Sequence, residues 1–333
     1  MPAMTAPILA RRPLLALGAA LLASATRARA DAPADAPAWP SRSPRLVVPV
    51  APGGSQDIVA RLLARQLGDQ LGHSVLVENL PGAGSNIGYE AVSRARPDGY
   101  TLLAGSDSLS INPALFSNLS YDPLRAFAPV LSGVRVPQIL VVRTEAPQRS
   151  LAEFVASARA DTIAVGTPGN GSLSHLVGEL MQQSAELRWT HVPYRGGALA
   201  INDLMAGHLQ GVWINIGAVT DHLRGGRLRG LAVSSAARAQ ALPDVPTLEE
   251  GGFRDLVATG WHGVVAPAGI DPAIVARLNA EGRKALAQPE LAARMEALGV
   301  EVLDEPPEAL ATRIAEDAQR WAAVVRRAGI RAD

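Results

Sequence analysis

Cysteine is absent from the 333 residues, which excludes disulfides, a thiolate nucleophile and a Cys-based metal site. Aromatic residues make up only 4% of a chain that is 48% hydrophobic, so a core has to be packed mainly from aliphatic side chains. There is no charge excess of either sign: 31 basic residues face 31 acidic ones. A generally basic surface for nucleic acid is thereby excluded. The uncharged run from Pro13 to Ala25 falls short of the about 20 residues that a transmembrane helix needs.

What is present begins with an export signal. Arg11 and Arg12 precede that apolar run, and Ala28-Arg29-Ala30 has the small-x-small pattern of a signal peptidase site, so 1–30 reads as a signal peptide cleaved near Ala30. The arginine pair fits twin-arginine export in part, but Ala10 stands where Ser is usual and Leu14 where Phe is usual. The secretory route is equally compatible. Cleavage would remove four arginines and no acid, leaving 27 basic against 31 acidic residues, a formal charge of −4. Residues 31–44, rich in Ala and Pro, read as a flexible leader. The remaining length suits two domains, and 31 Gly with 25 Pro suit an α/β chain with many short loops.

Leu46 to Asp57, LVVPVAPGGSQD, runs an apolar strand into a Pro-Gly-Gly corner that opens a helix. Such a corner directs free backbone N–H groups and a helix dipole at one spot, which suits an anion. Ile58, Val59, Leu62, Leu63, Leu67 and Leu71 keep a helical period up to Gly72. A strand over Ser74 to Val77, a second Gly-rich turn (Pro81 to Asn86), a short helix and a strand over Tyr100 to Ala104 complete β-α-β-α-β, the pattern of a parallel sheet.

A second unit follows the apolar run Ile139 to Val142. Ser150-Leu151-Ala152-Glu153 is a capping box. Thr162 to Gly166 reads as a strand, and Gly169 to Ser172 as another Gly-rich turn into a helix. A strand (Trp189 to Val192), a helix (Ala198 to Met205) and strands at Gly211 to Ile216 and Leu228 to Val233 come next. Trp261 to Ala266 is a further strand, followed by helices over Pro272 to Ala287, Glu290 to Leu298 and Pro307 to Ala328. Two lobes are expected, 45–142 plus 262–333 and 143–261, joined by the runs at Ile139 and Trp261 and closing as a hinge on a ligand.

No enzyme motif is complete. Gly82 to Gly88 places its last glycine one residue too far for a dinucleotide fingerprint, and no G-x-x-x-x-G-K-[ST] occurs. The G-x-S-x-G elbow fails at Ser55 and Ser172, where Asp57 and Ser174 replace the second glycine. The six histidines contain neither H-x-H nor H-E-x-x-H, so neither a metal nor a cofactor is expected. His175 and His191 are expected to brace loops.

The binding reading rests on groups at strand C-termini, where open α/β sheets hold ligands. They are Gly54, Ser55, Gln56 and Asp57 after the first strand, Ser85 and Asn86 after the second, Ser106 after the third, and Thr167, Gly169, Gly171 and Ser172 in the second unit. Each supplies a hydroxyl, an amide or a backbone N–H, and the same residue types also cap helices. Asp57 would repel a carboxylate at contact distance. It either faces away as a dipole partner or meets a ligand hydroxyl or ammonium.

Eight motifs in order, VPVAPGGSQD, VENLPGAGSNIG, PDGYTLL, YDPLRAFAPV, GNGSLSHL, HVPYRG, LPDVPTLEEG and WHGVVAPAG, give the chain a resemblance to the substrate-binding proteins of tripartite tricarboxylate transporters, the Bug family. The resemblance spans about Arg45 to Ile330. It implies a two-lobed periplasmic binding protein fold of type II, each lobe a mixed, mostly parallel sheet flanked by helices, with a ligand cleft between the lobes. It also implies a monomeric, non-enzymatic receptor for a small carboxylate, served by one large and one small membrane permease subunit or by a sensor protein. An exported hydrolase using the same cleft is the alternative. The resemblance adds Tyr194 and Asn215 to the site. Family members often carry an acid just before Asn215, whereas this chain has Ile214. Ser55-Gln56 also stands where Gly or Ser with Thr is common. The apolar residue implies a plain or aromatic carboxylate over an amino acid.

Overall fold

The computed structural model describes residues 39–332. The expected signal peptide, the leader up to Ala38, and Asp333 lie outside the described residues. From Arg42 onward the chain is tied to the sheet that follows: the Arg42 guanidinium lies 3.9 Å over the Tyr100 ring, and Leu76 N donates to Pro44 O at 2.9 Å.

The first six elements are β1 (Arg45–Val48), α1 (Ser55–Leu71), β2 (Leu76–Asn79), α2 (Asn86–Ser93), β3 (Thr101–Ser106) and α3 (Ser108–Leu115). α1 forms as its period dictates. It buries Val59, Leu63, Leu67 and Leu71, and ends at Gly72 in the left-handed conformation (φ 71°) that glycine adopts most cheaply. β2 starts two residues later than expected, because its register is set by β1, with Arg45 opposite Leu76. α3 is a helix that the sequence hides, since Asn112-Pro113 reads as a turn.

β4 (Phe127–Arg143) is far longer than the apolar run at its end. Pro129, Gly133 and Pro137 mask it in the sequence, and register shifts between Pro129 and Leu131 and between Leu131 and Val134 absorb the irregularity. There follow α4 (Leu151–Ala160), β5 (Ile163–Thr167), α5 (Leu173–Ala185), β6 (Trp189–Pro193), α6 (Gly197–Ala206), β7 (Gly211–Asn215), α7 (Thr220–Arg224), β8 (Leu228–Val233) and β9 (Thr259–Pro267). The cap on α4 is the one foreseen: Glu153 N donates to Ser150 Oγ at 3.2 Å. The chain closes with α8 (Pro272–Leu286), α9 (Pro289–Ala297), β10 (Glu301–Val302) and α10 (Pro307–Ala328).

The strands run in the order β2-β1-β3-β9-β4-β7-β5-β6, with β8 and β10 also on β4. β1, β2 and β3 are parallel, as are β5, β6 and β7, whereas β9 is antiparallel to both β3 and β4. β4 serves both halves. Up to Pro137 it pairs with β9, and from Gln138 with β7 and β8. The second crossing is at Ala258, whose N–H donates to Ser234 O at 2.8 Å just before β9 begins. These are two lobes of an α/β binding-protein fold, each a mixed sheet flanked by helices.

Buried hydrophobic clusters lie in both halves of the fold. One gathers Val47, Tyr89, Leu103, Trp261 and Val265, the other Phe154, Val165, Leu176, Val177 and Trp213. α10 contributes to both. Leu310 and Ile314 join the first, Trp321, Val324 and Val325 the second, so one helix straps the lobes together.

Candidate functional site

The first corner is built by Asp57. Its carboxylate accepts from Gly53 N (2.9 Å), Arg61 Nε (3.0 Å) and Asn79 Nδ2 (2.8 Å). Burial alone would raise its pKa, but the hydrogen bonds from Arg61, Gly53 and Asn79 and the Arg61 charge outweigh it and hold the carboxyl below the ordinary range. Asp57 therefore faces the inside of the corner. Gln56 is likewise committed, with Nε2 donating to Ala104 O at 2.7 Å. What the corner presents is the first turn of α1, whose N–H groups have no intrahelical acceptor. Pro52, Gly53 and Gly54 are exposed there.

The second corner is strained. Gly82, Ala83, Gly84 and Ser85 all have positive φ, and Ala83 (47°) and Ser85 (79°) lack glycine's freedom. Left-handed non-glycine residues cost about 1–2 kcal/mol each and cluster at functional sites. Side chains from α3 and beyond hold this turn. Asn112 Nδ2 donates to Gly84 O and to Asn86 Oδ1, both at 2.8 Å, and Tyr121 OH donates to Asn86 Oδ1 at 2.7 Å. The Asn86 side-chain oxygen is thus used within the lobe.

At the end of β3, Ser106, Ser108 and Tyr89 form a triangle of hydroxyls. Ser106 Oγ lies 2.8 Å from Ser108 Oγ, and Tyr89 OH lies 2.5 Å from Ser108 Oγ and 3.2 Å from Ser106 Oγ. Burial pushes the Tyr89 phenol up to about 12, so it remains a neutral donor. His262 on β9 lies opposite Ser106 in register, and its Nε2 is 3.5 Å from Ser55 Oγ. Burial lowers this imidazole to about 4, so it stays neutral.

In the second lobe, Ser172 caps α5 by accepting from His175 N at 3.3 Å, and its hydroxyl donates to Gly169 O at 2.8 Å. Gly171 N donates to His175 Nδ1 at 3.0 Å, and Thr167 Oγ1 lies 2.7 Å from His191 Nε2. The two imidazoles stack with centroids 3.6 Å apart. Burial, then the neighbouring His175, lowers His191 to about 4. Both histidines brace the turn. Tyr194 N donates to Thr167 O at 3.0 Å, and its hydroxyl to Asp203 Oδ2 at 2.6 Å.

The turns of the two lobes meet in pairs. Asn215 leads into the 3₁₀ turn Ile216–Ala218, where a Cβ on Gly217 would lie 3.1 Å from Ser55 Oγ. A Cβ on Gly171 would lie 2.3 Å from Leu115 Cδ1, one turn beyond the Asn112 that holds Gly84. The structure thus gathers Ser55 with the Asn215 end, and sets the Gly171 turn on α3, the helix whose Asn112 holds Gly84 and Asn86. Ile214 is buried at 1% exposure, its Cδ1 within 2.8 Å of where a Gly197 Cβ would stand. It packs beneath the first turn of α6. A hollow of about 330 Å³ lined by Arg42, Arg45, Arg96, Asp98 and Tyr100 sits at the opposite, N-terminal edge of β1 and β3, away from these turns.

Sequence reasoning missed the supports: Tyr89, Ser108, Asn112, Tyr121, His262 and Gln138. For Gln138 a signal existed, a lone amide at the head of the apolar run Ile139 to Val142.

Residues 59–330 match the profile of the tripartite tricarboxylate transporter family receptor. The chain belongs to that family. It is 37% identical over 302 residues to the protein BugT of Bordetella pertussis, covering 90% of this chain and 93% of that one. Among solved structures, Rpa4515 of R. palustris with adipate superposes with a TM-score of 0.84 at 32% identity, covering 88% of this chain and 99% of that one. MatC from Rhodopseudomonas palustris with bound malate gives 0.80 at 33%, covering 86% and 100%. This receptor is a periplasmic solute-binding protein with its ligand cleft between the lobes, not an enzyme. Receptors of its family work with membrane permease components.

Proposed function

We propose that this receptor captures a small organic carboxylate between the first turns of α1 and α2 on one lobe and the Thr167 to Ser172 turn on the other. The observation that carries the reading is how the turns are made. Asp57, Asn112 and the His175–His191 pair fix them from behind, with Gly53 N, Gly171 N and His175 N taken up within the turns, and the remaining first-turn N–H groups, foremost those of α1, are the donors turned to a ligand. Such groups suit carboxylate oxygens. The adipate and malate held by the two related structures favour a plain dicarboxylate. The proposed contacts are Gly54, Ser55, Ser85, Ser106, Thr167, Gly169, Gly171, Ser172, Tyr194 and Asn215, with Gln56, Asp57 and Asn86 shaping the corners. The lobes run over 45–142 with 262–333 and over 143–261.

The exported form begins after a signal peptide cleaved near Ala30, by the secretory or twin-arginine route. It acts as a monomer and delivers its ligand to a permease of one large and one small membrane subunit. The test is a thermal-shift panel of succinate, malate, adipate, citrate, benzoate, aspartate and glutamate on the mature protein. A ligand at 100 times its dissociation constant adds about 2.7 kcal/mol to stability. A panel in which no carboxylate raises the melting temperature rejects the proposal, and tighter binding of aspartate than of succinate rejects the preference for a plain acid.

A further inference from the structure

β4 changes partner between two adjacent residues: Pro137 opposes Thr259 of β9, and Gln138 opposes Asn215 of β7. Gln138 is 0% exposed. Its backbone is locked to the loop after β8, the N–H donating to Ser234 Oγ and the carbonyl accepting from Ser234 N, both at 2.9 Å. Its side-chain Oε1 accepts from Ser174 Oγ at 2.6 Å. Ser174 stands in the first turn of α5, directly after the Gly169 to Ser172 turn.

Register identifies the face. Residues directly opposed across an antiparallel pair project to the same side, their Cβ atoms about 5 Å apart. Leu140 opposes Trp213 and Gln138 opposes Asn215. Trp213 lies against the middle of α5, since a Cβ on Gly178 would come within 3.3 Å of its Cδ1. The face beneath α5 is therefore apolar under the body of the helix and carries two amides under its first turn, at the end of β7 that opens to the cleft. Asn215 is partly exposed there.

A primary amide brings two N–H donors, and buried donors are nearly always satisfied. Among the described residues Gln138 Nε2 makes one hydrogen bond, to Val136 O at 3.4 Å, long for its kind. Oε1 is turned to the Ser174 hydroxyl, so the group left with spare capacity on the other side of the amide is the second Nε2 hydrogen.

We propose that Gln138 is a ligand-contacting, specificity-determining residue at the floor of the cleft, giving its second amide N–H to an oxygen of the bound acid while it holds Ser174 in place. The assignment rests on the carboxylate reading above and deepens it. A spare amide N–H favours ligands presenting an oxygen acceptor at that point over those presenting an ammonium group. The residue that reads the ligand is also the one where β4 passes from one sheet to the other.

The experiment compares wild type, Gln138→Met, Gln138→Glu and Ser174→Ala by calorimetric titration with succinate, adipate and aspartate, at about pH 6 and about pH 8.5, with affinities expressed per fully ionised probe. Melting temperatures of the ligand-free proteins are recorded alongside. Wild type should bind a dicarboxylate with little change between the two pH values. Gln138→Met should weaken that binding about tenfold or more, the cost of a lost hydrogen bond to a charged group. Gln138→Glu should abolish it at the higher pH and regain it at the lower one, as the buried introduced carboxyl takes a proton and becomes a donor. Ser174→Ala, which keeps the amide, should weaken binding by a few-fold only. Equal affinities in wild type, Gln138→Met and Gln138→Glu, whatever their melting temperatures, overturn the assignment and leave the carboxylate reading standing. A wild type that binds none of the probes overturns both.

Discussion

Gly53 N–H donates to the Asp57 carboxylate at 2.9 Å, closing the exposed Pro-Gly-Gly corner onto the first turn of the helix it opens. Arg61 and Asn79 complete the same carboxylate. Asp57→Asn keeps the shape but loses the charge that these donors meet, and should cost about 2 kcal/mol, with weaker carboxylate binding as the corner loosens. The sign with pH follows from the lowered pKa. The stabilisation is present above about pH 4 and is lost as pH falls through the native pKa, so variant and wild type converge in acid. Denaturant unfolding at neutral and acid pH checks both; equal stability at neutral pH would show that the corner stands without its acid.

Two glycines of one turn should respond differently to alanine. Gly171 has φ +71°, and a Cβ there would meet Leu115 Cδ1 at 2.3 Å, whereas a Cβ on Gly169 finds its nearest neighbour, Tyr194 O, at 3.6 Å. Gly171→Ala should lose about 1–2 kcal/mol from the left-handed conformation and more from displacing Leu115, and should weaken ligand binding. Gly169→Ala should stay near wild type in stability. Paired thermal melts decide it, and indistinguishable variants would refute the close packing of α3 on this turn.

The contrast between these glycines shows what the sequence could and could not reveal. Periodicity, glycines and helix stops placed α1, β8 and α10 within a residue or two, because those signals act locally. The turn at Gly169 to Ser172 was legible for the same reason. What stayed hidden depends on pairing across the chain. β4 is interrupted by Pro129, Gly133 and Pro137 and is held in the sheets by its neighbours, and α3 carries Pro113. The sequence leaves Asp57 open between two roles, since only the positions of Gly53 and Asn79 decide which way its carboxylate faces. Asn112 and Tyr121 lie far along the chain from the Asn86 they hold, beyond the reach of any local pattern.

His262 and His191 should make the fold sensitive to mild acid. Burial lowers each to about 4, below the about 6.5 of an unfolded histidine. The unfolded chain therefore binds more protons between those values, and stability falls as pH drops from about 6.5 towards 4. His262, 5% exposed on β9, should dominate with about 1–3 kcal/mol over that range. His262→Gln, compared with wild type by chemical denaturation at pH values near 7 and 5, should lose less stability on acidification. A variant that follows the wild-type slope would remove His262 from the account.

Asp107 and Asp317 act in the opposite direction across the same range. Asp107 begins α3, with Oδ1 2.7 Å from where a Cβ on Gly260 of β9 would stand. Desolvation, then the charge of Asp317 on α10, raises it to about 7. Desolvation raises Asp317 to about 6 against the opposing charges of Arg320 and Arg313, with Glu316 adding to the rise. A native carboxyl with a raised pKa binds its proton more tightly than the unfolded chain does, so its contribution is full below about pH 4 and is lost as pH rises towards 7. Asp107→Asn removes that loss. The variant should equal wild type near pH 4 and exceed it by about 1–3 kcal/mol near pH 8, where wild type forces two charges together beside β9. Unfolding curves for both proteins at these two pH values measure the difference. A variant less stable than wild type near pH 8 would mean that the ionised Asp107 carboxylate is held by favourable partners, and that the junction of α3, β9 and α10 is tightened by charge instead of strained by it.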